Sequence, residues 1–152
     1  MSAAAPPRTG AAGVGERLLD LRVRLFVWML LVVIRRAGVP RLLRLAALLA
    51  PRPPADVPRV VMCVDRVLAD AVASHNACLA RSLTLYRFLG GEASGLQFCL
   101  GVRYAQPGRG ARRIAGHAWL TRYGLPYLEQ DHLHVYRFRV IYRYPARQRS
   151  VA

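Results

Sequence analysis

Ser74-His-Asn-Ala-Cys-Leu-Ala-Arg-Ser-Leu-Thr-Leu-Tyr-Arg-Phe-Leu-Gly-Gly91 is followed, past Gly95, by Leu96-Gln-Phe-Cys-Leu-Gly-Val-Arg-Tyr104, and between the two the chain changes its period. In the first stretch Leu79, Leu83, Leu85, Tyr86 and Leu89 give a helix an apolar face. Ser74 or Asn76 can cap its start, and Gly90-Gly91 ends it. The second stretch reads as a strand, as does Ile114 to Arg122. Between them lies a Gly/Arg-rich loop, Pro107 to Arg113, and Tyr123-Gly-Leu-Pro126 follows as a turn. His134 to Tyr144 reads as a further strand, with Tyr136, Phe138, Val140 and Tyr142 alternating with Arg137, Arg139, Ile141 and Arg143. Helices first and antiparallel strands after predict an α+β domain.

Upstream, residues 1–15 are rich in Ala, Pro and Gly and read as a disordered lead-in. Residues 16–50 are Leu-rich with interspersed arginines, broken at Gly38-Val-Pro40, and predict an N-terminal segment of two helices joined by a turn. Pro51-Arg-Pro-Pro54 is a rigid linker before the main domain, expected over residues 56–152. That domain opens with a helix capped by Asp56, on which Val60, Val61, Val64, Val67, Leu68, Ala71 and Val72 recur at helical spacing. At 152 residues the chain buries a core without disulfides or a structural metal.

The formal net charge is +15, and all 23 basic residues are arginine. The absence of lysine points to a GC-rich bacterial genome rather than to a function. The arginines stand singly or in pairs, as at Arg35-Arg36 and Arg112-Arg113, with no run of like charge and no nucleic-acid-binding motif. No nucleic-acid partner is therefore expected. Leu25 to Ile34 is too short an apolar run to span a bilayer, which takes roughly 20 residues. For the N-terminal helices, packing or partner docking comes first and an interfacial membrane contact second. Three cysteines without metal-ligand spacing suit a reducing cytoplasm.

Cys78 falls in the first turn of its helix, where the helix dipole favours the thiolate. Cys63, on a helix, and Cys99, flanked by Phe98 and Leu100, read as packed thiols. A nucleophilic cysteine needs an imidazole to take and return a proton, and a polar group to orient that imidazole. His117, on the second strand, is the candidate; His75 lies in the cap region of the Cys78 helix and reads as solvent-facing. His132 and His134, two apart at a strand entrance, lack a third ligand for zinc. Downstream of Cys78 the only acids are Glu92, Glu129 and Asp131. Glu92 lies beyond the far end of the helix. Either Glu129 or Asp131 can return beside His117 after the turn, and spacing alone leaves both open.

Cys78-Leu-Ala-Arg-Ser-Leu-Thr-Leu with Phe88-Leu-Gly-Gly91, Phe98-Cys-Leu-Gly-Val-Arg103, and His117-Ala-Trp-Leu with Gly124-Leu-Pro126 together resemble the transglutaminase-like leader peptidases of lasso-peptide biosynthesis, the catalytic half of the B protein. The likeness covers about residues 56–144, and the preceding helices also look like the family's N-terminal part. It implies a transglutaminase/papain-like cysteine protease core, with the nucleophile at a helix N-terminus packed on an antiparallel sheet. Cys78 would be the nucleophile and His117 the general acid/base. The family's third residue, usually aspartate, falls twelve positions after the histidine, here on Glu129; Asp131 is the alternative.

The resemblance further implies hydrolysis of a precursor peptide at its leader-core junction, through a thioester and without cofactor or metal. A chain this short implies the split form, acting with a separate leader-recognition protein and an ATP-dependent lasso cyclase. The N-terminal helices and the arginine-rich surface are the expected docking surfaces for the recognition protein. A transglutaminase-like acyltransferase with the same Cys-His pair is the nearest alternative. A non-catalytic basic adaptor at a membrane or on RNA is the alternative from another class.

Overall fold

A computed structural model describes residues 10–34, 36–50, 56–71, 77–104, 114–129 and 131–146. The expected linker Pro51–Pro54, the loop Pro107–Arg113, and Ser74, His75 and Asn76 lie outside the described residues, as do residues 1–9. The elements in order are helices α1 (Gly10–Val33), α2 (Val39–Leu48), α3 (Val57–Ala71) and α4 (Ala77–Phe88), strands β1 (Leu96–Tyr104), β2 (Ile114–Arg122) and β3 (Leu125–Tyr127), the helical turn α5 (His132–Val135), and strand β4 (Arg139–Tyr144). The fold is α+β, as expected.

α1 begins at Gly10, so residues 10–15, expected in a disordered lead-in, are helical. Three glycines weigh against helix there, but extending an existing helix needs no new nucleus and gains one hydrogen bond per residue. α2 starts at Gly38-Val39-Pro40 with proline in its first turn, where the missing N–H costs nothing. At the start of α3 the Asp56 carboxylate faces the Arg59 N–H at 3.5 Å. α4 ends at Gly90, whose φ of 90° is the left-handed value a helix C-terminus takes most readily at glycine.

The strands form one antiparallel sheet in the order β3-β2-β1-β4. β2 and β3 are joined by a two-residue turn at Tyr123 and Gly124, both with positive φ, the geometry that matches strand twist. The expected turn over Tyr123–Pro126 is thus shorter, and Leu125–Tyr127 pairs as strand. The expected strand from His134 likewise starts later. Asp131 accepts a hydrogen bond from the His134 N–H at 3.0 Å and caps α5, so His132–Val135 winds helically before β4 begins at Arg139.

Alternation divides the sheet into two faces. Phe98, Ala118 and Leu120 face the helices in a core shared by all of α1–α4, with Val27 and Leu30 of α1 and Leu43 of α2 buried beside Val64, Leu83 and Tyr86. The N-terminal helices are therefore built into the same core as the Cys78 helix. Cys99 and Trp119 face the other way and pack against Val135 and Phe138.

Candidate active site

Cys78 is the second residue of α4 and is half-buried. Burial pushes its thiol pKa up. A hydrogen bond with His117 and the backbone N–H groups of Ala118 and Leu79 more than offset that, and the net shift is downward.

His117 lies on β2 at a stretch without a neighbour on its β3 side, because β3 pairs only with Leu120, Thr121 and Arg122. That open edge lets the ring meet residues from several elements. It stacks on Trp119 at 5.8 Å and 16°, lies 5.2 Å from the Phe138 ring, and receives the edge of His134 at 5.5 Å. Its Nε2 is 3.4 Å from Oε2 of Glu129, an ion-pair contact longer than a well-made hydrogen bond. The interactions with the Cys78 thiol and then with the Glu129 carboxylate outweigh desolvation and raise the imidazole pKa to about 9. A depressed thiol beside a raised imidazole favours the thiolate-imidazolium pair near neutral pH.

Glu129 in turn is held. Arg81, one turn after Cys78 on α4, donates to the Leu128 carbonyl at 3.0 Å, and its Nη1 lies 4.0 Å from Oε1 of Glu129. Its other nitrogens bind both carboxylate oxygens of Asp65 on α3, at 2.7 and 3.3 Å. Leu128 sits at φ 61°, a left-handed conformation rare for a residue with a side chain, which aims Glu129 back at His117. Ser82, the next residue on α4, donates from its buried hydroxyl to the Ala118 carbonyl at 2.9 Å.

Sequence reasoning missed Arg81, Ser82, His134 and Phe138 as builders of the site. The available signal was polar side chains at three and four residues from Cys78, on the same helix face. His134 and Phe138 had no such signal, because the strand reading hid the helical turn that delivers them.

The remaining candidates lie elsewhere. Asp131 is exposed and engaged as the α5 cap, Glu92 is at the opposite end of α4, and His132 is exposed. Cys63 and Cys99 are 5% and 1% exposed. Burial pushes the Cys63 thiol up, and Cys99 Sγ lies 3.9 Å from the Thr121 hydroxyl. Among the described residues no cluster of His, Cys, Asp or Glu could hold a metal ion.

A comparison with curated proteins finds no match. A comparison with solved structures finds none either. The family model described as Transglutaminase-like superfamily matches residues 18–143, from early in α1 to the last residues of β4. With most of the described chain inside that match, α2 and the greater part of α1 included, the chain belongs to the transglutaminase-like superfamily, which includes cysteine peptidases and acyltransferases.

Proposed function

We propose that the chain is a cysteine peptidase that removes the leader from a ribosomally made lasso-peptide precursor, acting with a separate leader-recognition protein and an ATP-dependent cyclase. The observation that carries the peptidase reading is the convergence of Cys78, His117 and Glu129 from α4, β2 and the segment after β3. The narrower lasso-peptide reading rests on the residues of the Cys78, Phe98 and His117 stretches.

In the proposed reaction the Cys78 thiolate attacks the scissile carbonyl, and the N–H groups of Leu79 and Ala118 receive the oxyanion. The imidazolium of His117 gives its proton to the departing core amine as the C–N bond breaks. The neutral ring then takes a proton from water, whose oxygen attacks the thioester, and Cys78 is released with a free leader carboxylate. Glu129 keeps the ring oriented and balances its charge.

The test is incubation of the full chain with a precursor peptide encoded beside its gene and the cognate recognition protein, read by mass spectrometry. Two fragments that sum to the precursor plus water, absent with Cys78→Ala, support the reading. A product in which an added amine replaces water would move the chain to the acyltransferases. An intact precursor under all these conditions would overturn the proposal.

A further inference from the structure

α1 has two apolar faces. One is spent on the core, where Val23, Phe26, Val27 and Leu30 are all at most 6% exposed. The other is not covered. Val14, Leu18, Leu21, Leu25, Trp28 and Val32 are between 47% and 71% exposed. They recur at intervals of four and three, so they form one straight stripe along the whole helix. A contiguous stripe of this length is more than the scattered surface leucines every protein carries.

The charges beside the stripe decide what can cover it. Arg17 and Arg24 border it on one side and Arg22 on the other, all exposed. Arg24 is paired with Asp20 at 2.6 Å, whereas Arg17 and Arg22 have no ion pair among the described residues. Glu16 and Asp20 lie round the helix from the stripe, by its 3.6-residue period. Two copies packed seam to seam would set arginine against arginine, which disfavours self-pairing. Alongside the stripe runs a groove of about 600 Å³, with Phe26, Met29, Leu49 and Phe88 in its wall and Arg22 and Arg87 as the charged residues among its described lining.

We propose that this outer stripe of α1, with the adjoining groove, docks the protein on an anionic phospholipid surface. The apolar row enters the acyl boundary while Arg17 and Arg22 extend their stems outward and place their guanidinium groups among the phosphates. Trp28 takes the interfacial level that suits an indole. No described helix is long and apolar enough to cross a membrane, so the contact lies along the surface. A partner helix with the same seam would need acidic flanks to meet Arg17 and Arg22. The inference does not rest on the peptidase reading, since neither Cys78 nor His117 contributes to this face.

The experiment is co-sedimentation of the full chain with phosphatidylcholine vesicles, with and without phosphatidylglycerol, together with Trp28 emission. The second tryptophan, Trp119, is 3% exposed and gives a steady background. Expected are binding to the anionic vesicles, a blue shift with quenching by brominated lipid, and weakening of more than about tenfold in Leu21→Gln/Leu25→Gln/Trp28→Gln. Arg17→Gln/Arg22→Gln should remove the preference for anionic lipid while leaving circular dichroism and Cys78 alkylation unchanged. Binding that survives the triple substitution, or no binding at low salt, overturns the proposal. So does self-association of the lipid-free chain that the triple substitution abolishes, which would make the stripe a dimer seam.

Discussion

Gly101 stands directly across the β1-β2 ladder from His117, and the indole of Trp119 lies over it. A Cβ at this position would come within 2.8 Å of one indole carbon and 2.9 Å of the Phe138 Cβ. Both neighbours are the rings that hold His117, so the requirement for glycine here is a requirement of the site.

Gly101→Ala should therefore cost about 1–3 kcal/mol of stability by overpacking. It should also lower kcat/KM more than the stability loss explains, because Trp119 and Phe138 must shift. Urea titration alongside a kinetic assay at a temperature where the variant is folded separates the two effects. A variant as stable and as active as the parent would show that the rings have room to spare.

Arg81 touches Leu128 and Glu129, and in the proposed peptidase its role would be to position Glu129 rather than to meet substrate. Arg81→Lys keeps the charge but cannot span Asp65 and Leu128 together, since a lysine offers one nitrogen in place of a planar fork. Activity should fall about 10- to 100-fold, with the alkaline limit of the pH profile moving down as Glu129 loses its hold on His117. An unmoved pH profile in this variant would leave Arg81 a purely structural tie between α3 and α4.

Thiol reactivity and catalysis should part company at high pH. The Cys78 pKa is lowered, so its thiolate is lost only as pH falls through that depressed value, and alkylation should decline on the acid side alone. The His117 pKa is raised to about 9, so the protonated ring needed by the leaving amine is lost as pH rises through that value. Peptide cleavage should thus be bell-shaped, while alkylation of Cys78 stays fast above pH 9. At mildly acidic pH Cys78 should label far faster than the buried Cys63 and Cys99, and His117→Ala should remove that advantage.

Two carboxylates two residues apart should behave differently. Glu129→Gln removes the charge facing Nε2 and should reduce turnover by about 10²- to 10⁴-fold with little effect on folding. Asp131→Ala removes the α5 cap and should cost about 0.5–2 kcal/mol, with most of the activity retained. Thermal melts and kinetics on the two variants check the assignment, and the reverse pattern would exchange their roles.

The parts of this architecture legible in the sequence are those set by local periodicity and end signals. The β1 and β2 spans, the left-handed stop at Gly90 and the position of Cys78 in the first turn of α4 all follow from residues within one element. His117 was reachable because only three histidines and three acids follow Cys78, and those few acids narrowed the third position to Glu129 or Asp131, between which the family resemblance favoured Glu129. What stayed hidden depends on tertiary choice. The segment from His134 to Phe138 reads as part of a strand, yet the Asp131 cap winds His132–Val135 into a helical turn and β4 starts only at Arg139, and this brings Phe138 and His134 to His117. Docking or an interfacial contact was expected of the N-terminal helices, but the residues of the exposed α1 stripe were not legible, since periodicity reports two apolar faces without saying which one the core takes.

Cys78, His117 and Glu129 come from three separate elements, and the Ser82 hydroxyl locks two of those elements together where the core is driest. In the proposed peptidase the activated thiolate is consequently a property of the finished molecule alone. A nascent or unfolded chain carries three ordinary thiols and no competent nucleophile, and so it is chemically quiet towards peptides, including other copies of itself. Activation and completion of folding are one event, and the rate at which Cys78 becomes alkylatable during refolding is a direct clock for it.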